Sequence, residues 1–390
     1  MNKRKRIGIY ITQKISGESY KAYVPAKLPP EPPVELTLLY PYLEKAILAL
    51  AELNNIHKTI PNTALFIYMY VRKEALLSSQ IEGTQSSFSD LMLFEHNQKT
   101  EVSIEDVEEV SNYVKAINYG LERLKDDFPL SLRLLKEIHG ILLSGGRGSS
   151  QTPGEFRRSQ NWIGGTRPGN ALFVPPPVEQ LSDCLRDFER FLHDESLPVL
   201  IKAGLAHVQF ETIHPFLDGN GRLGRLLITL LLCTNGMLDE PILYLSLYLK
   251  ANRHTYYELL QEVRESGTWE AWLEFFLIGV EKSSRQAIQT AERINSLFEK
   301  DSEKISHLGR ARFSCEQTLE YMKKLPQVTV PLLAKELQMT QPTARSALNH
   351  MQVLGILEEA SGKKRDKVYI YRKYLDLLED GAEPFSTEKS

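Results

Sequence analysis

His214, Asp218, Asn220, Arg222 and Arg225 lie in one short run, HPFLDGNGRLGR, residues 214–225. These residue types suit a phosphorylated ligand. Histidine is the side chain best placed to take a proton near neutral pH. Gly219 and Gly221 allow positive φ and close approach of a ligand to the backbone. Successive N–H groups in such a turn, followed by a helix start, form an anion-binding nest. Arg222 and Arg225, at i and i+3, share one face of that helix. Cations are unfavourable at a helix N-terminus, which already carries about half a positive charge, so an anion is called for. A polyphosphate satisfies the nest and both guanidiniums together. Asp218 is then a carrier for the magnesium that accompanies it, and His214 stands beside the phosphates as a general base. A plain capped helix with solvated arginines accounts for Asp218 and one arginine, not for the set. No GxxxxGK[ST] run exists, so an ordinary NTPase is not supported.

SSQIEG, residues 78–83, is the complementary anomaly. Ser78 and Glu82 share a helix face, and Gly83 is a natural stop. Glu82 thus falls in a last turn, where the helix dipole disfavours an anion. A solvated surface glutamate is the bland alternative; pairing with a misplaced arginine relieves both helix ends.

Apolar residues recur at helical spacing for most of the chain. The expected helices cover 41–54, 64–82, 103–124, 130–144, 178–193, 198–213, 222–236, 252–265 and 268–299. The helix at 198–213 should end before Pro215, because a residue preceding proline avoids the α region. AKLPPEPPVEL, near the N-terminus, reads as a proline-rich extended segment. NWIGGTRPGNALFVPPP, residues 161–177, reads as a β-hairpin from its short apolar runs broken by Gly164-Gly165 and Pro168-Gly169. After Lys304, three short helices and two strands around a basic turn follow the order of a winged helix-turn-helix. Thr340 caps its recognition helix, and Pro342 is tolerated in the first turn.

HPFLDGNGRLGR resembles the HPFx[D/E]GNGRxxxR-type signature of the Fic domain family, here in its GNGRxxR form. It matches at His214, Pro215, Phe216, Asp218, Gly219, Asn220, Gly221, Arg222 and Arg225. AGLAHVQFETI, LLKEIHGILL and the proline-rich segment are also similar, so the likeness spans roughly residues 20–280. The resemblance implies a mainly α protein: a Fic-type helical core with a β-hairpin flap, followed by the winged helix-turn-helix domain. Residues 1–100 would be the N-terminal Fic-associated region with an inhibitory helix, 101–300 the catalytic core and 301–390 the winged helix, separable near Lys304. The implied activity is transfer of AMP from ATP, with Mg2+, to a Ser, Thr or Tyr hydroxyl of a protein, with pyrophosphate leaving. His214 would deprotonate that hydroxyl and Asp218 would bind the magnesium. Gly219, Asn220 and Gly221, continuing through Leu223 and Gly224, would cradle phosphate; Arg222 would hold the β/γ region and Arg225 the γ-phosphate. SSQIEG resembles the family's inhibitory [S/T]xxxE[G/N] motif at Ser78, Glu82 and Gly83, with Glu82 on Arg225 blocking the γ-phosphate. The flap, through Ile163 and Gly164, would pair with an extended target segment. Tyr256 and Tyr257 resemble the helix beside the adenine. Rival readings stay open: removal of AMP from a modified target, a DNA-binding regulator that uses the core as a nucleotide sensor, and, as a lesser option, transfer of another phosphate-linked group.

The rest of the chain sets bounds. Of 390 residues, 42% are hydrophobic and 25% charged, with a formal net charge of −3, so the chain as a whole is no polyanion binder. DNA contact is left to 301–390, through Arg345, Lys363, Lys364, Arg365 and Lys367; Glu358 and Glu359 dilute that patch. Expected partners are a protein substrate and the protein itself, with a homodimer compatible. Cys184, Cys233 and Cys315 form no CxxC pair, which argues against zinc and a disulfide framework. His207 sits seven before His214, not the i, i+4 spacing of a zinc pair, and is expected to be a buried helix residue. No apolar segment has signal-peptide or bilayer length, so a cytoplasmic protein without membrane contact is expected.

Overall fold

The computed structural model describes residues 6–15, 17–56, 63–95, 102–146, 148–360 and 367–382. A hairpin of β1 (Ile9–Ile15) and β2 (Glu18–Val24) leads into α1 (Leu36–Asn54), α2 (Thr63–Ile81) and α3 (Phe88–Glu95). Then come α4 (Ile104–Lys125), α5 (Leu132–Leu142), α6 (Val178–Leu192), α7 (Val199–Ile213) and α8 (Asn220–Thr234). α9 (Ser246–Ala251), α10 (Arg253–Ser266) and the long α11 (Trp269–Ser306) follow. The C-terminal part runs α12 (Arg312–Lys324), β3 (Gln327–Thr329), α13 (Val330–Glu336), α14 (Gln341–Val353), β4 (Glu358–Glu359), β5 (Val368–Ile370) and α15 (Arg372–Glu379). Its sheet has the order β3-β5-β4, with both pairs antiparallel.

Local chemistry sets several helix starts. The Ser103, Ser131 and Thr340 hydroxyls accept the N–H of Asp106, Leu134 and Thr343, so α4, α5 and α14 begin where a side-chain cap is available. α7 and α8 form the centre. From Leu200 to Ile213 every residue of α7 is buried, as expected of a helix apolar all round. Two of its buried polar residues are tied to neighbouring elements: Lys202 donates to Asn235 and Gln209 to the Ala26 carbonyl. The loop between these two helices carries the motif, so two of the most buried elements position it.

Three expectations change. Residues 9–24 pair as a hairpin that helical periodicity missed. The hairpin expected at 161–177 shrinks to one bridge, Ile163 with Phe173, around a short 3-10 turn at Pro168–Asn170. Pro175, Pro176 and Pro177 have no N–H to extend the ladder, and Gly164 and Gly165, at φ 68° and 69°, turn the chain away. Finally, the 300/301 boundary falls inside α11, and one buried core runs from Val34 to Ala382. The Tyr371 hydroxyl donates to Asp301 at 2.7 Å, Lys73 Nζ to the Asp380 carbonyl and Gln80 Nε2 to the Ala382 carbonyl. The C-terminal elements are therefore packed into the rest, not separable near Lys304. The 100/101 boundary lies outside the described residues.

Candidate functional site

α7 ends at His214, which takes φ 48° and ψ 60° instead of the extended geometry expected before proline. That left-handed conformation is costly for a non-glycine residue and persists only when its surroundings hold it. Here they do. Arg157 Nε and Asn161 Nδ2 donate to the His214 carbonyl at 3.0 and 3.2 Å, and the Arg157 N–H to that of Pro215 at 2.9 Å. Asn161 and Asn220 side-chain amides share the Phe216 carbonyl, and His139 Nε2 donates to that of Asp218 at 3.0 Å. His139 also stacks on Phe216 at 3.7 Å. Within the turn the Phe216 N–H donates to Asn220 Oδ1 and the Gly219 N–H to Asp218 Oδ1.

Gly219, at φ 76°, is the N-cap of α8, which starts at Asn220, two residues before the expected start. The first N–H groups of the helix, those of Asn220, Gly221 and Arg222, have no intrahelical acceptor, and glycine offers no side chain to cap them. This is the expected nest. The Leu223 N–H is already given to the Gly219 carbonyl, and its side chain is fully buried. Gly224 lies further inside α8, with its carbonyl bonded to His207 Nδ1 at 3.0 Å. Leu223 and Gly224 are thus packing positions and not part of the phosphate cradle.

Both arginines are already paired. Arg222 is held 3.1 Å from Glu109 of α4 and 3.5 Å from Asp218. Its Nε and Nη1 are buried without a hydrogen bond among the described residues. Arg225 Nη2 donates to Glu82 Oε1 at 2.7 Å and to the Ser78 carbonyl at 2.9 Å, while Nε donates to Ser78 Oγ at 2.8 Å. The Glu82 carboxylate lies directly over the first turn of α8, where a Cβ on Gly221 would collide with it. Burial raises the Glu82 pKa, but Arg225 beside it outweighs this and holds the carboxyl below its ordinary value.

His214 Nδ1 faces the Glu211 carbonyl at 3.3 Å. A carbonyl only accepts, so Nδ1 carries the proton and Nε2 is left to receive one. Burial, followed by the Arg264 charge, pushes His214 down to about 4, so it is neutral at pH 7. Asp218, at 37% exposure, is the acid within reach of solvent beside the nest. Among the described residues no three His, Cys, Asp or Glu cluster as a metal cage. A single carboxylate does fit magnesium, which keeps several waters and binds mainly through substrate phosphates.

Tyr256 is fully buried, and its hydroxyl bonds His207 Nε2 at 2.8 Å, so it offers no surface to an adenine. Tyr257 is the exposed member of the pair. Ile163 is half-buried and Gly164 exposed at the bridge. That segment is tied to the N-terminal hairpin: the Tyr23 N–H donates to the Val174 carbonyl, and Arg167 pairs with Glu18 at 2.8 Å. Sequence reasoning missed Glu109, His139, Arg157 and Asn161; only LLKEIHGILL, which holds His139, gave any signal. In the C-terminal part Arg345 is exposed and Lys367 pairs with Glu359 at 2.8 Å; Lys363, Lys364 and Arg365 lie outside the described residues. No described helix is long and apolar enough to cross a membrane.

Comparison with known proteins finds similarity over the region that carries this site. Residues 40–122 match the Fic/DOC family N-terminal model and residues 129–232 the Fic/DOC family model. The chain is 36% identical over 169 residues to the protein adenylyltransferase Fic of Aedes aegypti, and 35% over 168 residues to that of Culex quinquefasciatus. These matches cover 42% of this chain and span only 30% of the relatives' length. A Fic family protein from Desulfovibrio desulfuricans G20 shares the fold, with a TM-score of 0.55 at 19% identity over 85% of this chain and 95% of its own. Fic-1 (aa134 - 508) from C. elegans aligns with a TM-score of 0.50 at 23% identity, over 65% of this chain and 73% of its own. Two regions of the chain, residues 40–122 and 129–232, are thus similar to the Fic/DOC family.

Proposed function

We propose that this protein transfers AMP from ATP to a hydroxyl side chain of a protein, itself included, and that Glu82 holds it in an inhibited state. The observation that carries this reading is the Glu82 carboxylate, lying over Gly221 and bonded to Arg225. An internal anion occupies the place that the nest and the arginine prepare for one. The names of the mosquito relatives support the choice of adenylyl transfer.

With Glu82 withdrawn, Arg225 is free for the γ-phosphate, and the Asn220–Arg222 N–H groups and Arg222 hold the phosphates before it. Asp218 would carry Mg2+, which supplies charge neutralisation on the phosphates. His214 Nε2 takes the acceptor hydroxyl's proton. The oxygen bonds to the α-phosphorus, and the bond from that phosphorus to pyrophosphate breaks with the electron pair leaving on pyrophosphate. Such transfer is mostly positioning and charge stabilisation, which suits a site of fixed N–H donors and arginines. The bridge at Ile163 and Gly164 would align the target segment. The order α12, α13, α14, β4, β5 supports a winged helix, which we place as the end of a three-part chain.

Incubation of the Glu82→Gly protein with ATP labelled at either the α- or the γ-phosphate tests the reading. Label should enter protein from the α-position only. Transfer of γ-label, or none from either, would refute it.

A further inference from the structure

One buried acid beside the base has no part in this scheme. Glu211, in the last turn of α7, is 6% exposed. Its Oε1 is buried without a hydrogen-bond partner among the described residues, and its Oε2 lies 4.0 Å from His214 Nδ1. α8 makes room for it, since a Cβ on Gly224 would collide with Oε1. The groups facing the carboxylate are Arg225 on α8, Glu82 after α2, and Arg264, Tyr256 and Tyr257 on α10. Arg264 donates to the main-chain carbonyl of Glu211 at 3.3 Å and to Thr212 Oγ1 at 3.1 Å. A buried carboxyl with one oxygen unbonded is costly, so its presence here calls for a use.

The base has a need that it meets. When His214 takes a proton, an imidazolium forms in a buried pocket beside Arg264 and Arg157, and both burial and these cations oppose it. A base pushed to about 4 is poorly matched to work at neutral pH. An opposite charge within about 4–6 Å favours the charged form. Glu82 is the other carboxylate near His214, but it must leave Arg225 for transfer to begin.

Resting on the transfer reading above, we propose that Glu211 is a positioning residue for the base: its ionised carboxylate, 4.0 Å from Nδ1, stabilises the imidazolium that His214 becomes. The proton stays on Nε2; Glu211 neither gives nor receives one, and the bond changes at phosphorus are those already described. Burial raises Glu211 to about 7, so its charge grows in through neutral pH and the transfer rate should rise with it.

The test compares Glu211→Gln and Glu211→Asp in the Glu82→Gly protein. The parent's kcat for self-modification should climb with pH across about 7. Glu211→Gln should lose that limb and about ten-fold or more of kcat at pH 8, with KM for ATP little changed. Glu211→Asp keeps the charge and should keep the limb, which decides the matter if the glutamine variant fails to fold. Independently of transfer, NMR titration of the His214 ring should show an inflection near pH 7, as Glu211 ionises beside it, that Glu211→Gln lacks. An inflection that persists in Glu211→Gln, or an unaltered kcat and limb, overturns the proposal. A parent that transfers nothing while the inflection behaves as expected overturns the function reading instead.

Discussion

Replacing Glu82 by Gln should weaken the resting protein and strengthen its grip on ATP. Arg225 is 2% exposed, and Glu82 is its one carboxylate within 4 Å among the described residues. Breaking a buried ion pair costs about 3–5 kcal/mol. The Glu82 side chain is 34% exposed and water can follow it, while both Ser78 bonds to Arg225 remain, so about 2 kcal/mol is expected here. That corresponds to a fall in melting temperature of roughly 2 °C for a chain of this length. In the native protein ATP must displace the carboxylate, and 2 kcal/mol of competition weakens binding roughly thirty-fold. Saturation at about 100 times Kd would return ~2.7 kcal/mol to the variant, more than it lost. Thermal melts of both proteins, with and without ATP and magnesium, measure each quantity. Because Arg225 holds the Glu82 pKa below 4.5, the carboxylate's contribution is complete above that pH and fades as pH falls through the lowered value. The stability gap should therefore close in acid. Equal melting temperatures and equal ATP shifts at neutral pH would refute the competition.

Three further outcomes are expected. His214→Ala in the Glu82→Gly protein should cut transfer by about 10²–10⁴ and leave ATP affinity unchanged by calorimetry. Truncation after Lys304 should give a misfolded or much less stable protein, because it removes the acceptors of Lys73 and Gln80 and exposes the core shared with α11; circular dichroism melts check this. Glu74 is buried, accepts hydrogen bonds from Ser246 N–H and Oγ, and is raised by burial from 4.5 to about 7. The native state thus holds a proton that the unfolded chain releases between those values, and stability is lost as pH rises. Glu74→Gln should escape that loss, so its stability relative to the native protein should improve by about 3 kcal/mol from pH 4.5 to 8 in urea titrations.

What could be read in the sequence was what is local along it. Residues 214–225 declare themselves because the turn, the glycines and the arginines are consecutive. Glu82 and Arg225 are distant in sequence, yet each violated a helix-end preference, and the two violations pointed at each other. Glu109 offered no such sign: it lies in the second turn of α4 among other acids, and only the packing of α4 against α8 brings it to Arg222. Arg157 and Asn161 act on main-chain carbonyls, which leave no trace in residue types. Tyr256 and Tyr257 show the limit of helical phase, since one residue of rotation decides which ring is buried. The N-terminal hairpin escaped because Thr12, Gln13 and Lys14 interrupt its apolar run, while its pairing is set by the main chain.

The most direct measurement is a crystal structure of the Glu82→Gly protein with a non-hydrolysable ATP analogue and magnesium. Phosphate oxygens should sit on the N–H groups of Asn220, Gly221 and Arg222, the γ-phosphate on Arg225, and the metal on Asp218, with the α-phosphorus open to an acceptor beside His214 Nε2. Phosphates bound elsewhere, with Arg225 still turned to Ser78 alone and the first turn of α8 in solvent, would contradict the claim that Glu82 occupies the nucleotide's place.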